Sequence, residues 1–127
     1  LLTGGFSAER ARALPADDWR ARHPEFMPPN LTRNLALADA LKPIAERHGT
    51  TVAAVAAAWT LAWPGVTGAI VGARSAAQVN GLLGAAELEL DADDLDAVAA
   101  AIELTGAGAG PLRPPEDSGK LPANLFA

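Results

Sequence analysis

From Leu31 onward the apolar positions recur at helical spacing. Leu31, Leu35, Ala38, Leu41 and Ala45 share one stripe, and Gly49 follows His48 as a C-terminal stop. Pro43 lies inside this run, where it removes a backbone hydrogen bond or kinks the helix. A second helix is predicted from Thr50 or Thr51, either of which can cap it, to about Trp63. Val52, Val55, Trp59 and Leu61 stand among alanines there, so this helix is apolar nearly all round and is expected to be buried on several sides. Pro64-Gly65 ends it. Gly68-Ala-Ile-Val-Gly72 is a short apolar run bounded by glycines, the pattern of a fully buried strand. A third helix is predicted from Ser75 to about Ala86, with Ser75 and Gln78 at the spacing of a capping box. Asp91 caps a fourth, with Asp94 at its third position and Leu95, Val98 and Ile102 facing inward, ending near Leu104.

The flanks differ. Gly4-Gly5, Pro15, Pro24, Pro28 and Pro29 punctuate residues 1–30, which also hold Asp17-Asp18 and four arginines. Loops of this length are usually functional or disordered, and only Ser7 to Leu14 suggests a short helix. Thr105 to Ala127 is rich in Gly and Pro and reads as a flexible tail. The order is therefore loop, helix, helix, strand, helix, helix, tail. One strand cannot make a sheet. The chain is either a small helical domain with an odd extended segment or a piece of a larger α/β fold. A start at Leu1, with Met27 the sole methionine, favours the piece.

Composition narrows the function. The chain has 127 residues, about one domain, and half of them are hydrophobic, which excludes disorder for most of its length. Ten Lys+Arg are scattered against fifteen Asp+Glu, so no basic face for nucleic acid is expected. The longest apolar stretch, Val52 to Trp63, falls short of the roughly 20 residues a membrane span needs. With no cysteine and two histidines, no metal site is arguable. No basic leader precedes an apolar run, so the expected compartment is the cytoplasm. Tyrosine is absent, which removes one class of acid catalyst.

Candidate chemistry concentrates in Gly72-Ala-Arg-Ser-Ala-Ala-Gln78, where a strand end meets a helix start. Free N–H groups and the positive helix end make such a junction an anion site, and Arg74 adds a planar, permanently charged donor. The plainer reading stands beside it: Ser75 and Gln78 as caps, Arg74 as a surface charge. His48 at a helix C-terminus and His23 in a loop read as structural or solvated. Trp59 and Trp63, four apart, read as packing; Trp19 reads as a ligand platform or a loop anchor. Asp91, Asp93, Asp94 and Asp96 complement a helix N-terminus.

Taken in order, these segments resemble the C-terminal part of the aldo/keto reductases. Leu1-Leu2-Thr3-Gly4 is similar to the stretch after the family's seventh strand. Asp18-Trp19-Arg20 through Pro24 and Phe26 resembles the cofactor-side loop that follows. Leu41 to Gly49 and Thr51 to Trp59 resemble the paired helices of the seventh unit. Gly68 to Ser75 is similar to the eighth strand and its turn, and Leu88 to Ile102 to the closing helix. The resemblance implies an α/β fold, the C-terminal portion of a (β/α)8 TIM barrel. Residues 1–30 would be the cofactor-side loop, 31–63 the paired helices, 68–72 the last strand and 75–104 the closing helices, with 105–127 as the tail.

It also implies NADP(H) as cofactor and reduction of aldehydes or ketones by hydride transfer. The turn of Gly72, Arg74 and Ser75 would hold the cofactor 2′-phosphate, Gln78 would lie along the adenosine, and Arg20 would reach the pyrophosphate. Glu and Asn usually stand against the adenine where this chain has Gly81 and Leu82, with Asn80 nearby, so those contacts are expected to be weaker or differently arranged. Gly5 stands where Lys is frequent. The family's catalytic Asp, Tyr, Lys and His lie in the other half of the barrel, so no catalytic residue is expected here. The isolated chain is expected to be inactive and poorly folded, or oligomeric. The expected partners are the cofactor and a small carbonyl substrate. Self-association, or a separate chain supplying the rest of the barrel, is the further expectation. A non-catalytic helical interaction module built around Trp59 and Trp63 is the alternative.

Overall fold

A computed structural model describes residues 1–115 of the chain. Its helices are α1 (Ala8–Arg12), α2 (Asn30–Ala40), α3 (Lys42–Arg47), α4 (Val52–Leu61), α5 (Ala76–Leu83) and α6 (Ala92–Thr105). Short 3-10 turns cover Trp19–Arg22, Pro24–Phe26 and Gly84–Ala86.

Local chemistry sets most boundaries. Pro43 lacks the N–H that would continue the ladder, so the long periodic run breaks at Leu41 into α2 and α3. Gly49, at φ +59°, stops α3. Its N–H donates to Glu46 O, and the Thr50 N–H donates to Ala45 O, the paired bonds of a Schellman stop. Thr51 caps α4 by accepting from Ala54 N (3.1 Å). Asp91 and Asp94 form a reciprocal capping box at α6, and Gly106, at φ +64°, ends that helix.

The core gathers Leu37 and Leu41 from the end of α2, Ile44 and Ala45 of α3, Val52 and Val55 of α4, and Val98 and Ala101 of α6. α2 packs on α6, and α4 packs on α3 and α5. α4 buries Val52, Ala54, Val55 and Ala58, while its other residues are half-buried or exposed.

Two expectations are corrected. Residues 68–72 are not a buried strand: among the described residues there are helices and turns and no strand. Ile70 is fully exposed and Val71 half so, and no backbone hydrogen bond within the described residues involves residues 67–73. A strand is stabilised by pairing with a neighbour, and this stretch has none beside it. α5 packs directly against α4 instead, through Thr51 Oγ1, which donates to Gly81 O at 2.6 Å. The tail does not begin at Thr105, the last residue of α6. Ala107 belongs to the core, Pro114 is buried, and Arg113 pairs with Asp96 at 3.0 Å. Residues 116–127, the remainder of that segment, lie outside the described residues.

Candidate functional site

The turn into α5 is shaped by its own side chains. Ser75 sits in extended backbone as N-cap, its Oγ accepting from Gln78 N (3.3 Å), and Gln78 Oε1 accepts from Arg74 N (2.7 Å). Ser75 is therefore the cap, while Gln78 bonds to Arg74, the residue before that cap, and does not close a capping box with the Ser75 N–H. That bond has a consequence for binding, because it holds the backbone around Arg74 while leaving that guanidinium exposed. The N–H groups of Ala76 and Ala77, in the first turn, have no intrahelical acceptor. A positive helix end, two open N–H groups and a guanidinium are together suited to a phosphate. Gly72 imposes nothing here: its φ is not left-handed, and a Cβ would meet open space.

Arg20 is held by a carboxylate two residues before it. It lies in the Trp19–Arg22 turn, whose N-cap, Asp18, accepts from Arg20 N at 3.0 Å. Arg20 Nε donates to Asp18 Oδ1 (2.9 Å) and one Nη to Oδ2 (2.5 Å), a two-pronged pair with little solvent exposure. The side-chain bonds from Arg20 hold the Asp18 carboxyl down to about 2, aided by the Arg20 backbone N–H and by the charges of Arg20 and Arg74. The same pair raises the Arg20 guanidinium above its ordinary range. Arg20 and Asp18 thus form one local unit with the Trp19–Arg22 turn.

The loop that carries Arg20 is packed rather than loose. Phe26 meets Phe6 edge-on at 5.3 Å and Trp19 at 5.4 Å, and the Arg10 and Arg20 guanidinium groups lie 5.8 and 6.0 Å from the Phe6 ring. His23 stacks edge-on with Trp19 and caps the next turn through Nδ1, which accepts from Glu25 N.

Two cavities complete the picture. One, about 290 Å³, is lined by Leu2, Leu37, Val55, Trp59, Val98 and Ile102 among others, and no titratable side chain reaches it. The indole N–H groups of Trp59 and Trp63 are buried without an acceptor among the described residues. The other, about 260 Å³, lies beside Glu25, whose carboxylate already accepts from Asn30 (3.2 Å) and Asn34 (2.7 Å).

Sequence reasoning missed one ionic cluster. Asp94 is 1 % exposed and accepts from Arg47 and from His48 Nε2 (2.6 Å), besides Asp91 N (3.2 Å). Asp94 was legible as a cap and His48 as a helix-end residue, but nothing in their spacing announced the contact. It joins the end of α3 to the start of α6.

Residues 1–103 match the profile of the Aldo/keto reductase family. The chain belongs to the aldo/keto reductase family. No curated protein and no solved structure gives a significant match. The matched region contains both Arg20 and the Arg74 turn. Gly81, where the resemblance expects Glu, has a local role. A Cβ there would meet Thr51 Cγ2 at 3.3 Å, tighter than ordinary contact, so a small residue lets α5 approach the start of α4. Among the described residues, no three His, Asp or Glu side chains gather to hold a metal, and no helix is long and apolar enough to cross a membrane.

Proposed function

We propose that this chain is the cofactor-phosphate part of an NADPH-dependent aldo/keto reductase. The observation that carries the reading is the exposed Arg74 at the Ser75-capped N-terminus of α5, whose first-turn N–H groups at Ala76 and Ala77 have no intrahelical acceptor. Arg74 and the N–H groups of Ala76 and Ala77 would hold the 2′-phosphate, and Arg20 the pyrophosphate. Gln78 would lie along the adenosine, with its amide NH2 available once Oε1 is bonded to Arg74 N. When bound, the cofactor supplies hydride to a carbonyl carbon. This chain's residues bind and orient; the acid that protonates the carbonyl oxygen would come from outside it, since the chain has no tyrosine. In the same reading, α4 to α6 are part of the outer helical layer of a barrel whose remainder is supplied by further chain segments or by a separate chain.

Titration of the chain with NADPH and NADH, followed by nicotinamide fluorescence, tests this. Tighter binding of NADPH by about tenfold or more is expected, and Arg74→Ala should abolish the preference. Equal binding of the two would overturn the reading. The exposed apolar positions Ile70, Val71 and Leu83 favour a second one, a non-catalytic helical interaction module. That module would bind neither nucleotide.

A further inference from the structure

The cavity of about 260 Å³ between α2 and the chain after α6 is lined by groups of opposite charge that do not pair with each other. Arg33 lies against Gly106, where a Cβ would stand 3.8 Å from its Cδ and Nε. Its guanidinium makes no hydrogen bond or ion pair among the described residues. Glu25 lines the same space. Its two oxygens accept one bond each, from Asn30 (3.2 Å) and Asn34 (2.7 Å), and a carboxylate has about four lone-pair sites, so it can accept more. Asn34 is the buried member, at 9 % exposed. Its NH2 is fixed toward Glu25, donating to the carboxylate and to the backbone O (3.1 Å). Its Oδ1 is left without a donor among the described residues. That oxygen is not sealed in the interior, so it is reached through the cavity that Asn34 lines. Beyond the left-handed turn at Gly106, the N–H groups of Gly108 and Ala109 donate to nothing among the described residues.

A lone anion entering here meets Glu25, and a lone cation meets Arg33. A molecule carrying both charges answers both. Since a cavity of about 150 Å³ accommodates benzene, this one has room for a short amino acid. We propose that the cavity binds a small zwitterion, a free amino acid. Its carboxylate is taken by Arg33 and the N–H groups of Gly108 and Ala109, and its ammonium by Glu25 and Asn34 Oδ1. The site shares no residue with the Arg74 turn, so it stands or falls apart from the cofactor reading.

The test titrates the chain with L-alanine, β-alanine and γ-aminobutyrate, followed by backbone amide chemical shifts of isotope-labelled protein. Propionate and propylamine, which carry one charge each, are the comparisons. At least one zwitterion is expected to bind with a Kd of about 1 mM or below, about tenfold or more tighter than either comparison. It should shift the amides of Gly106, Gly108 and Ala109. Arg33→Gln, at an exposed position, should weaken the zwitterion by about tenfold and leave propylamine unchanged. Glu25→Gln should weaken it by about the same factor and leave propionate no weaker. Circular dichroism checks the helices of both variants, and where Glu25→Gln loses them, Arg33→Gln decides. Binding of none of the zwitterions, binding no tighter than that of propionate or propylamine, or shifts confined to other residues overturns the proposal. So does a folded Arg33→Gln that binds as the unsubstituted chain does.

Discussion

Asp94 shows how one side chain joins local and distant structure. As an N3 residue it bonds back to Asp91 N, and as a buried carboxylate it ties α6 to Arg47 and His48 of the α3 end. Burial by itself pushes its carboxyl up. The hydrogen bonds from His48 and Arg47, with the Asp91 N–H, outweigh that and hold it below the ordinary 3.8. A carboxyl whose pKa is lowered on folding contributes stability that is fully present above its unfolded value and is lost as pH falls through the folded one. Urea unfolding of the chain should therefore show stability dropping below about pH 4, and Asp94→Asn should flatten that drop. The same variant is expected to cost about 2–3 kcal/mol at pH 7, since it loses charge-assisted hydrogen bonds at a buried position. A loss under 0.5 kcal/mol would show that the cluster contributes nothing to the fold.

At the scale of elements, helix starts were readable because their chemistry is local. Ser7, Thr51, Ser75 and Asp91 each accept from a backbone N–H three residues on. The strand expectation at 68–72 was not safe in the same way, because an apolar run bounded by glycines becomes a strand only when another strand lies beside it. What took its place is the direct packing of α5 on α4. Thr51 both caps α4 and donates to Gly81 O, so it serves two elements at once. Thr51→Ala is expected to destabilise the chain by about 1–2 kcal/mol in chemical denaturation, at or beyond the usual cost of a lost cap. Thr51→Ser keeps the hydroxyl and should recover most of it. If Ser and Ala variants are equally unstable, the Thr51 methyl and not its hydroxyl carries the contact.

For the whole molecule, the helices assemble a core of their own around Val55, Ile44 and Val98, while the chemistry expected of the family needs groups the chain does not hold. Purified chain should show no carbonyl-dependent loss of NADPH absorbance, even at concentrations where the nucleotide binds. Turnover by the chain alone would require a proton donor other than tyrosine and would overturn the division of labour proposed here. Ile70, Val71 and Leu83 are exposed, so the chain should self-associate with rising concentration in sedimentation velocity, and Ile70→Lys should reduce this without loss of helix content. A monomer at all concentrations would remove that surface from consideration.

Composition and pattern by themselves settled the helices around residues 31–61 and 92–105, the caps at Thr51, Ser75 and Asp91, and the stop at Gly49. Each of these is a matter of side chains and backbone within a few residues of one another. The ordered set of segments also pointed to the family that residues 1–103 match. Tertiary structure alone decided that His48 and Arg47 close on Asp94, that Ala107 enters the core, and that Ile70 and Val71 lie exposed with no backbone hydrogen bond at residues 67–73 among the described residues. These depend on which distant surfaces meet. Spacing along the chain carries no term for that, because burial and charge pairing are set by the packed neighbours and not by sequence separation.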